Sequence, residues 1–407
     1  MGVRSEKRRE PLFYGWIVVI CGAVVLGVTH GVIINCFSLY IIPVSDALGI
    51  SRDAFSLCNT LINGAYAVIS FLAGKIYRRF KLRALLRIAA IFLPVSYFCY
   101  SFCINAIQLY LVSILTGLSV SFISFVPFTI IIENWFMEKR GTALGLCFMG
   151  SGLGGMAMNS LTAVLLENFG WQRTYQTNAA VMLFVLLIMV FLVIYVTPEE
   201  KNLRPLGSSQ EKKDNSYGMT VPEAVHSGSF RALLLLALVI GLNSNILSVL
   251  IAPYLSDLGY STMFAASVTS VYLGCLAVSK ILLGRLYDRF GAVRGTAMSM
   301  IGFLVGFLGL FLSRQTWAVP LIMVASLGTA ASNVSFPITT RYAFGTREYT
   351  TLYGYMIGTN FVIGSVGPFA ANRIFTVTGS YEKAILMCMA AAAAGLVSLL
   401  FVRPAKK

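Results

Sequence analysis

The sequence predicts an all-α membrane protein in which twelve transmembrane helices form two pseudo-symmetric six-helix bundles and both termini lie in the cytoplasm. Composition, long apolar runs and the distribution of basic residues predict this fold. Of the 407 residues, 57% are apolar and 12% are charged, whereas ordinary soluble domains carry about 25% charged residues. This composition excludes a soluble enzyme, a disordered protein and a nucleic-acid-binding domain. It also argues against a membrane β-barrel, because barrel strands alternate apolar and polar residues.

Twelve apolar runs, numbered here as spans 1 to 12, are long enough to cross a bilayer, which takes about 20 residues per helix. One long polar stretch divides the chain into an N-terminal bundle (1–197), a cytoplasmic linker (198–229) and a C-terminal bundle (230–407). The first run is too long for the core of a signal peptide and is interpreted as span 1. The runs cover roughly residues 13–42, 54–73, 83–103, 107–133, 141–166, 175–197, 230–254, 263–286, 295–313, 316–344, 350–375 and 381–402.

The basic residues indicate the orientation of these spans. With the N-terminus placed in the cytoplasm, 25 Lys and Arg residues fall in cytoplasmic segments and 5 fall on the opposite side. Cytoplasmic loops carry an excess of Lys and Arg, so both termini are predicted to be cytoplasmic. The same distribution accounts for the net charge of +15 without a nucleic-acid partner. We expect a monomeric, multi-pass protein of the inner or plasma membrane, with the lipid bilayer as its surroundings.

No cofactor or metal is predicted. None of the eight Cys residues forms a Cys-x-x-Cys pair, and His30 and His226 are the only His residues in the sequence, so no metal-ligand pattern exists. The segment Gly150–Gly155 matches Gly-x-Gly-x-x-Gly, but it lies inside an apolar span and lacks the strand of a dinucleotide site. Small residues at this spacing indicate close helix packing.

The two halves of the chain contain an internal repeat. Gly74-Lys-Ile-Tyr-Arg-Arg-Phe80 resembles Gly284-Arg-Leu-Tyr-Asp-Arg-Phe290, which begins 210 residues later. Each copy holds an even number of spans, so both halves have the same orientation and are related by an axis along the membrane normal. The same spacing pairs Asn35 with Asn245, Pro43 with Pro253, Gly49 with Gly259, Ser51 with Ser261 and Pro127 with Pro337.

The repeated loops resemble the signature of the major facilitator superfamily, Gly-x-x-x-Asp-Arg-x-Gly-x-x-Arg. The resemblance implies that the Asp interacts with a helix end and holds the outward-facing state, so residues of both loops are predicted to act in gating. The first half departs from the signature, because Arg78 occupies the Asp position, next to Arg79, and Lys81 occupies the Gly position. The second half carries the full signature as Gly284, Asp288, Arg289, Gly291 and Arg294.

Two further segments resemble the oxalate/formate antiporter and monocarboxylate porter branch of that superfamily. They are Asn134-Trp-Phe-x-x-Lys-Arg-Gly141 and Lys280-Ile-Leu-Leu-Gly-Arg-Leu-Tyr-Asp288. Transporters of this branch hold a substrate carboxylate with an Arg at the position of Lys280, and members that handle dicarboxylates add a Lys where Asn360 stands. The resemblance therefore implies a transporter, not an enzyme, that moves a small organic anion, most simply a monocarboxylate, by alternating access.

Lys280 lies inside a predicted span and is the one basic residue left over when the cytoplasmic and opposite sides are counted. A charge at this depth costs about 2.5–3.5 kcal/mol, which indicates a binding role. Alternatively its long side chain extends to the cytoplasmic surface, about 6–9 Å away along the helix. His30 in span 1 is either a proton relay or a neutral side chain bonded to a neighbouring helix. Protons or a counter-anion therefore remain candidate coupling partners.

Other polar residues inside the spans are candidates for substrate binding or for bonds between helices. Tyr272 shares a helical face with Lys280 at a distance of about 12 Å. The alternative function is an exporter of a neutral or apolar small molecule, which the 28 Phe and 19 Tyr residues allow. The predicted substrate-binding set comprises Lys280, His30, Asn35, Tyr272, Asn333 and Asn360.

A pair of opposite charges occupies equivalent ends of spans 4 and 10. Glu133 precedes Phe136 and Arg341 precedes Phe344 by the same three positions, and each pair of equivalent residues is 208 residues apart. We predict that Glu133 and Arg341 form an ion pair in one transport state and separate in the other. The alternative is that both residues are solvated surface charges.

Overall fold

The structure, a computed structural model, describes residues 13–207 and 217–405. Residues 1–12, 208–216 and 406–407 lie outside the described residues. They include parts of both predicted cytoplasmic ends and the middle of the predicted linker, so the orientation of the termini stays a prediction.

The described residues are almost entirely helical, and twelve spans are present. Ten helical segments are long and apolar enough to cross a membrane. One of them, Arg140–Val193, has 54 residues and is interrupted at Gly170, so it supplies two spans. The helix Tyr349–Thr378 has 30 residues and a length of about 45 Å, which also suffices. The predicted fold class of two six-helix bundles is confirmed.

The first six spans form the N-terminal half. Span 5 passes into span 6 at Gly170, where φ is 74°, a conformation that residues with a side chain rarely adopt. A single glycine thus replaces the loop that the sequence predicted there. The helices are Tyr14–His30 and Phe37–Leu48 in span 1, Arg52–Arg79 in span 2, Leu82–Cys99 in span 3, Ala106–Ser121 and Phe125–Trp135 in span 4, and Arg140–Leu186 in spans 5 and 6.

The C-terminal half repeats this arrangement after a short helix, Val221–His226, in the linker. Serine caps begin spans 7 and 8, where the hydroxyls of Ser227 and Ser261 accept bonds from the backbone nitrogens three residues later. The helices are Gly228–Asp257 in span 7, Thr262–Phe290 in span 8, Ala292–Phe311 in span 9, Ala325–Phe344 in span 10, Tyr349–Thr378 in span 11 and Glu382–Ser398 in span 12.

Spans 1 and 4 are interrupted near the middle of the N-terminal half, which the apolar runs did not predict. Span 1 contains a π-helical turn, Gly31–Asn35, and span 4 leaves the helix between Ser121 and Phe125. Such turns are frequent at functional sites because they redirect side chains out of the regular helical pattern.

The two halves touch through spans 5 and 8 and through spans 2 and 11. Gly141 and Gly284 let the backbones of spans 5 and 8 approach closely, because a Cβ added at either one would collide with the other's carbonyl oxygen. Near the middle of spans 2 and 8, Gly64 and Gly274 have no described atom within 4 Å of an added Cβ. The close approach of spans 5 and 8 at Gly141 and Gly284 therefore lies at the end that the charges assign to the cytoplasm, called here the closed end.

The linker contacts both halves beside this closed end. Leu206 forms a β-bridge with Phe136 in the loop after span 4, and Gly218 forms one with Gly345 in the loop after span 10. The described ends of the linker thus bind equivalent loops in the two halves.

Candidate functional site

The side chain of Lys280 crosses from span 8 of the C-terminal half to span 5 of the N-terminal half. Its ammonium donates hydrogen bonds to the Phe148 carbonyl oxygen at 3.1 Å and to Ser151 Oγ at 2.7 Å. The Ser151 hydroxyl in turn donates to the Phe148 carbonyl oxygen at 2.8 Å, which leaves its lone pairs for Lys280. With 4% of its surface exposed, Lys280 points into the interface between the halves and not towards the membrane surface.

The charge of Lys280 has no counter-ion within the described part of the chain. None of the ion pairs found there includes Lys280, and both of its hydrogen-bond acceptors are uncharged. An ammonium has three N–H donors, so one remains for another acceptor. A buried cation without a carboxylate partner is a favourable place for an anion, which would supply the missing charge.

His30 lies in the last helical turn before the π-helical turn of span 1 and is buried. Its Nε2 is 3.0 Å from Ser124 Oγ, at the interruption of span 4, and Ser124 Oγ is 3.2 Å from the hydroxyl of Tyr66 in span 2. The ring also contacts Phe125, with 4.4 Å between ring centroids. His30 therefore joins spans 1, 2 and 4. This agrees with the interpretation from the sequence in which His30 bonds to a neighbouring helix.

His30 also lies close to the Lys280 site, through two aromatic rings. Phe125 packs edge-on against Phe148 at 5.1 Å, and Phe148 supplies one of the two acceptors of Lys280. No hydrogen bond joins His30 to Lys280 in the described structure. A proton relay role for His30 remains a prediction.

Asn35 belongs to the same cluster as Lys280. Its amide nitrogen donates to the backbone oxygen of Ser151 at 3.1 Å, while the Ser151 hydroxyl holds Lys280. Its repeat partner Asn245 donates to the Gly241 oxygen at 3.0 Å. Both residues are exposed although both belong to spans.

Two of the other predicted binding residues form hydrogen bonds within their own half. The Tyr272 hydroxyl is 2.6 Å from Thr329 Oγ1 in span 10, and the Asn360 amide donates to the Ala237 oxygen in span 7 at 3.3 Å. Asn333 is half-buried in span 10. Tyr272 and Asn360 thus serve as bonds between helices in this structure, and their contact with substrate stays a prediction.

Sequence reasoning did not assign the two acceptors of Lys280 or Tyr66, whereas Ser124 was among the polar residues inside spans that were candidates for binding or for bonds between helices. Ser151 lies within the glycine-rich segment that indicated close helix packing, and Phe148 contributes only its backbone oxygen. A backbone acceptor carries no signal in the residue type. Ser151, a serine inside a run of small residues, was the one indication in the sequence of an acceptor for Lys280.

Glu133 and Arg341 form an ion pair between spans 4 and 10. The Glu133 side chain is 8% exposed and that of Arg341 is 24% exposed. Arg140, at the start of span 5, is a second cation beside the same carboxylate, with 3.6 Å between its Nε and Glu133 Oε2. Glu133 is therefore the centre of a three-residue cluster at the closed end.

Asp288 provides a second contact between the halves. Its carboxylate accepts bonds from the backbone nitrogens of Gly141 at 2.8 Å and Thr142 at 2.7 Å, and from the Thr142 hydroxyl at 2.6 Å. These nitrogens begin span 5, where the first amides of a helix lack internal acceptors and the helix dipole favours a negative charge. Asp288 thus caps a helix of the other half.

The equivalent loop of the N-terminal half uses a different contact. Arg78 lies 3.7 Å from Glu348, the residue before the first helical position of span 11, and the Arg78 side chain is 58% exposed. Arg79 lies over the ring of Phe80. Arg289 and Arg294 are exposed. The two loops therefore contact equivalent helix starts, one through a carboxylate that caps the helix and one through an exposed ion pair.

Comparisons with known proteins agree with this architecture. The model of the Major Facilitator Superfamily matches residues 23–368 and 233–407. The chain is 24% identical over 294 residues to a protein described as the uncharacterized transporter ESBP6 of Saccharomyces cerevisiae, and it spans 42% of that protein's length. It is 20% identical to monocarboxylate transporter 12 of Homo sapiens, over 92% of this chain and 78% of that one.

A solved structure gives the same fold. The fucose:proton symporter FucP of E. coli superposes with a TM-score of 0.71 at 11% identity, covering 96% of this chain and 99% of that one.

Proposed function

The chain belongs to the major facilitator superfamily of membrane transporters, and we propose that it carries a small organic anion, a monocarboxylate, by alternating access. The superfamily fold makes it a multi-pass membrane protein and not an enzyme. The inner or plasma membrane and a monomeric state remain our predictions from the sequence.

The proposal depends on one observation, the buried ammonium of Lys280. It lies between the halves, and each of its hydrogen-bond acceptors among the described residues is neutral. Leaving a buried charge without an opposite charge is unfavourable, so a carboxylate that reaches the third N–H donor gains both a charge-assisted hydrogen bond and a partner for the cation. A neutral substrate can accept the hydrogen bond but supplies no opposite charge.

The position of Lys280 also suggests how binding leads to movement. Lys280 belongs to one half, whereas Phe148 and Ser151 belong to the other, so the ammonium is part of the contact that keeps the halves together. A carboxylate bound to the third donor attracts the ammonium and can draw it away from these two acceptors. Binding would then weaken the interface between spans 5 and 8. A ligand shifts a conformational equilibrium only when it interacts differently with the two states, and this weakened interface is such a difference.

The relatives support the substrate class at a distance. One of them is named monocarboxylate transporter 12, at 20% identity. The amides of Asn35 and Asn245 are neutral hydrogen-bonding groups that are exposed within spans 1 and 7, and they suit the uncharged part of a hydroxy or keto acid.

The test is transport by the purified protein in liposomes. Labelled lactate, formate and oxalate are supplied outside, and uptake is measured with and without excess unlabelled carboxylate. We expect saturable lactate uptake that unlabelled monocarboxylates suppress. Transport of a neutral aromatic compound that carboxylates do not affect would instead support the alternative, an exporter of neutral or apolar molecules.

The same vesicles identify the coupling partner. Uptake that responds to an imposed pH gradient indicates a proton that moves with the anion through Lys280 or His30. Uptake that requires carboxylate inside the vesicle, and does not respond to pH, indicates exchange with a counter-anion.

A further inference from the structure

An apolar groove runs between spans 1 and 5 on the outer surface of the N-terminal half. Its volume is about 560 Å³. Ile20 and Leu153, which both line it, are 60% and 49% exposed. In a membrane-spanning helix, exposed side chains of this kind face acyl chains.

The length of the groove matches one leaflet. It follows span 5 from Leu146 to Met158, a rise of about 18 Å. The hydrocarbon core of a bilayer is about 30 Å thick, so a leaflet contributes about 15 Å. Trp16 lies at the end of the groove nearest the predicted cytoplasmic surface, the depth at which Trp is enriched in membrane proteins.

A second depression adjoins this end of the groove and is polar. Trp16 and Leu146 line both. The depression has a volume of about 560 Å³ and contains the side chains of Lys139, Arg285 and Arg289. The apolar and the basic surfaces are therefore continuous.

The depression has a surplus of positive charge. Asp288 is its one acidic residue, and both of its carboxylate oxygens already accept bonds from the start of span 5. Within residues 13–207 and 217–405, no ion pair includes Lys139, Arg285 or Arg289. Three cations thus lack an ion-pair partner in the part of the chain that the structure describes.

From these two continuous surfaces we infer that the protein has a binding site for an anionic glycerophospholipid of the cytoplasmic leaflet. One acyl chain lies in the groove between spans 1 and 5, and the phosphate contacts Lys139, Arg285 and Arg289. Basic pockets beside transmembrane helices on the cytoplasmic side bind anionic headgroups for the same electrostatic reason, and Arg pairs well with phosphate oxygens.

The site also depends on the transport state. Lys139 belongs to the N-terminal half, whereas Arg285 and Arg289 belong to the C-terminal half, and they share one depression only while spans 5 and 8 are in contact. A lipid bound there bridges the halves and stabilises the state that is closed at this end.

The experiment measures lipid retention by the full-length protein. The protein is extracted from liposomes of equal parts dioleoyl phosphatidylglycerol and dioleoyl phosphatidylcholine, and bound lipid is counted by native mass spectrometry. We expect at least one phosphatidylglycerol per protein, retained about fivefold over phosphatidylcholine. Combined Lys139→Gln, Arg285→Gln and Arg289→Gln substitutions should remove this preference.

A matched control comes from the repeat. Lys75 and Arg79 occupy the positions 210 residues before Arg285 and Arg289, and neither lines this depression. Lys75→Gln with Arg79→Gln should keep the preference for phosphatidylglycerol. A second variant, Ala157→Trp, fills the groove without altering charge, since Ala157 lines it, and should also lower retention.

Three outcomes would overturn the inference. Equal retention of both lipids would show a non-specific lipid shell. Equal loss in the control and the basic-site variants would show a general effect of surface charge. Displacement of phosphatidylglycerol by millimolar inorganic phosphate, together with normal retention in Ala157→Trp, would show a site for a soluble anion.

Discussion

Glu133 of span 4 and Arg341 of span 10, separated by 208 residues, form an ion pair that joins the two halves of the molecule. The carboxylate is largely buried and has Arg140 as a second neighbour. Exposed ion pairs contribute about 0–1 kcal/mol, and partial burial of this pair raises its expected contribution to about 1–2 kcal/mol. The pair exists at the closed end only while the halves touch, so its energy favours that state.

We therefore expect Glu133→Gln to increase opening at the cytoplasmic end by about 5- to 30-fold. The measurement is labelling, from the cytoplasmic side, of a single cysteine placed at Asn333 in a cysteine-free protein. Unchanged labelling would show that the cluster contributes nothing to gating.

The charge swap should restore closure only in part. Glu133→Arg with Arg341→Glu recreates the pair, but the new arginine then lies beside Arg140, and like charges repel. Adding Arg140→Gln should complete the restoration. If the double swap alone restores closure fully, Arg140 is not part of the cluster in solution.

Asp288 and Arg78 should differ in their importance, although they occupy equivalent positions. Asp288→Ala removes the cap of span 5, at a cost of about 0.5–2 kcal/mol, and should increase cysteine labelling several-fold. Asp288→Asn keeps an acceptor and should have a smaller effect. Arg78→Gln removes an exposed ion pair and should change labelling by less than about twofold.

Lys280→Gln should reduce lactate transport by about 30-fold or more, because loss of a desolvated charged partner costs about 2–5 kcal/mol. Lys280→Arg should keep part of the activity, since the charge remains. Transport is measured in liposomes with equal amounts of folded protein. Lys383→Gln, which alters an exposed Lys at the other end of the molecule, is the control. Full activity of Lys280→Gln would remove the basis of the proposed substrate.

Monocarboxylates should be preferred over dicarboxylates. One cation neutralises one carboxylate, and a second carboxylate would enter the site without a partner, at a cost of several kcal/mol. Competition against labelled lactate should thus require more oxalate than formate. Tighter binding of oxalate would show that a second cation takes part, and Asn360→Lys is expected to shift the preference in that direction.

Much of the fold could be predicted because its main determinants are local. A bilayer requires about 20 apolar residues per helix, and each apolar run of the sequence meets this requirement independently of the others. The repeat then related Glu133 to Arg341 without any structure. The sequence could not reveal the interruptions at Gly31–Asn35 and around Ser124, because apolar runs do not distinguish a π-helical turn from a regular helix.

The sequence by itself determined the number of spans, the two halves and the presence of one cation inside the C-terminal half. Only the tertiary structure decided what that cation contacts. Lys280 is 132 residues from Phe148 and 129 from Ser151, and the Phe148 acceptor is a backbone oxygen that every residue type possesses. The same holds for Asp288, whose partners are backbone nitrogens of another helix. Hydrophobic periodicity specifies which segments become helices, but it does not specify which backbone groups of distant helices meet.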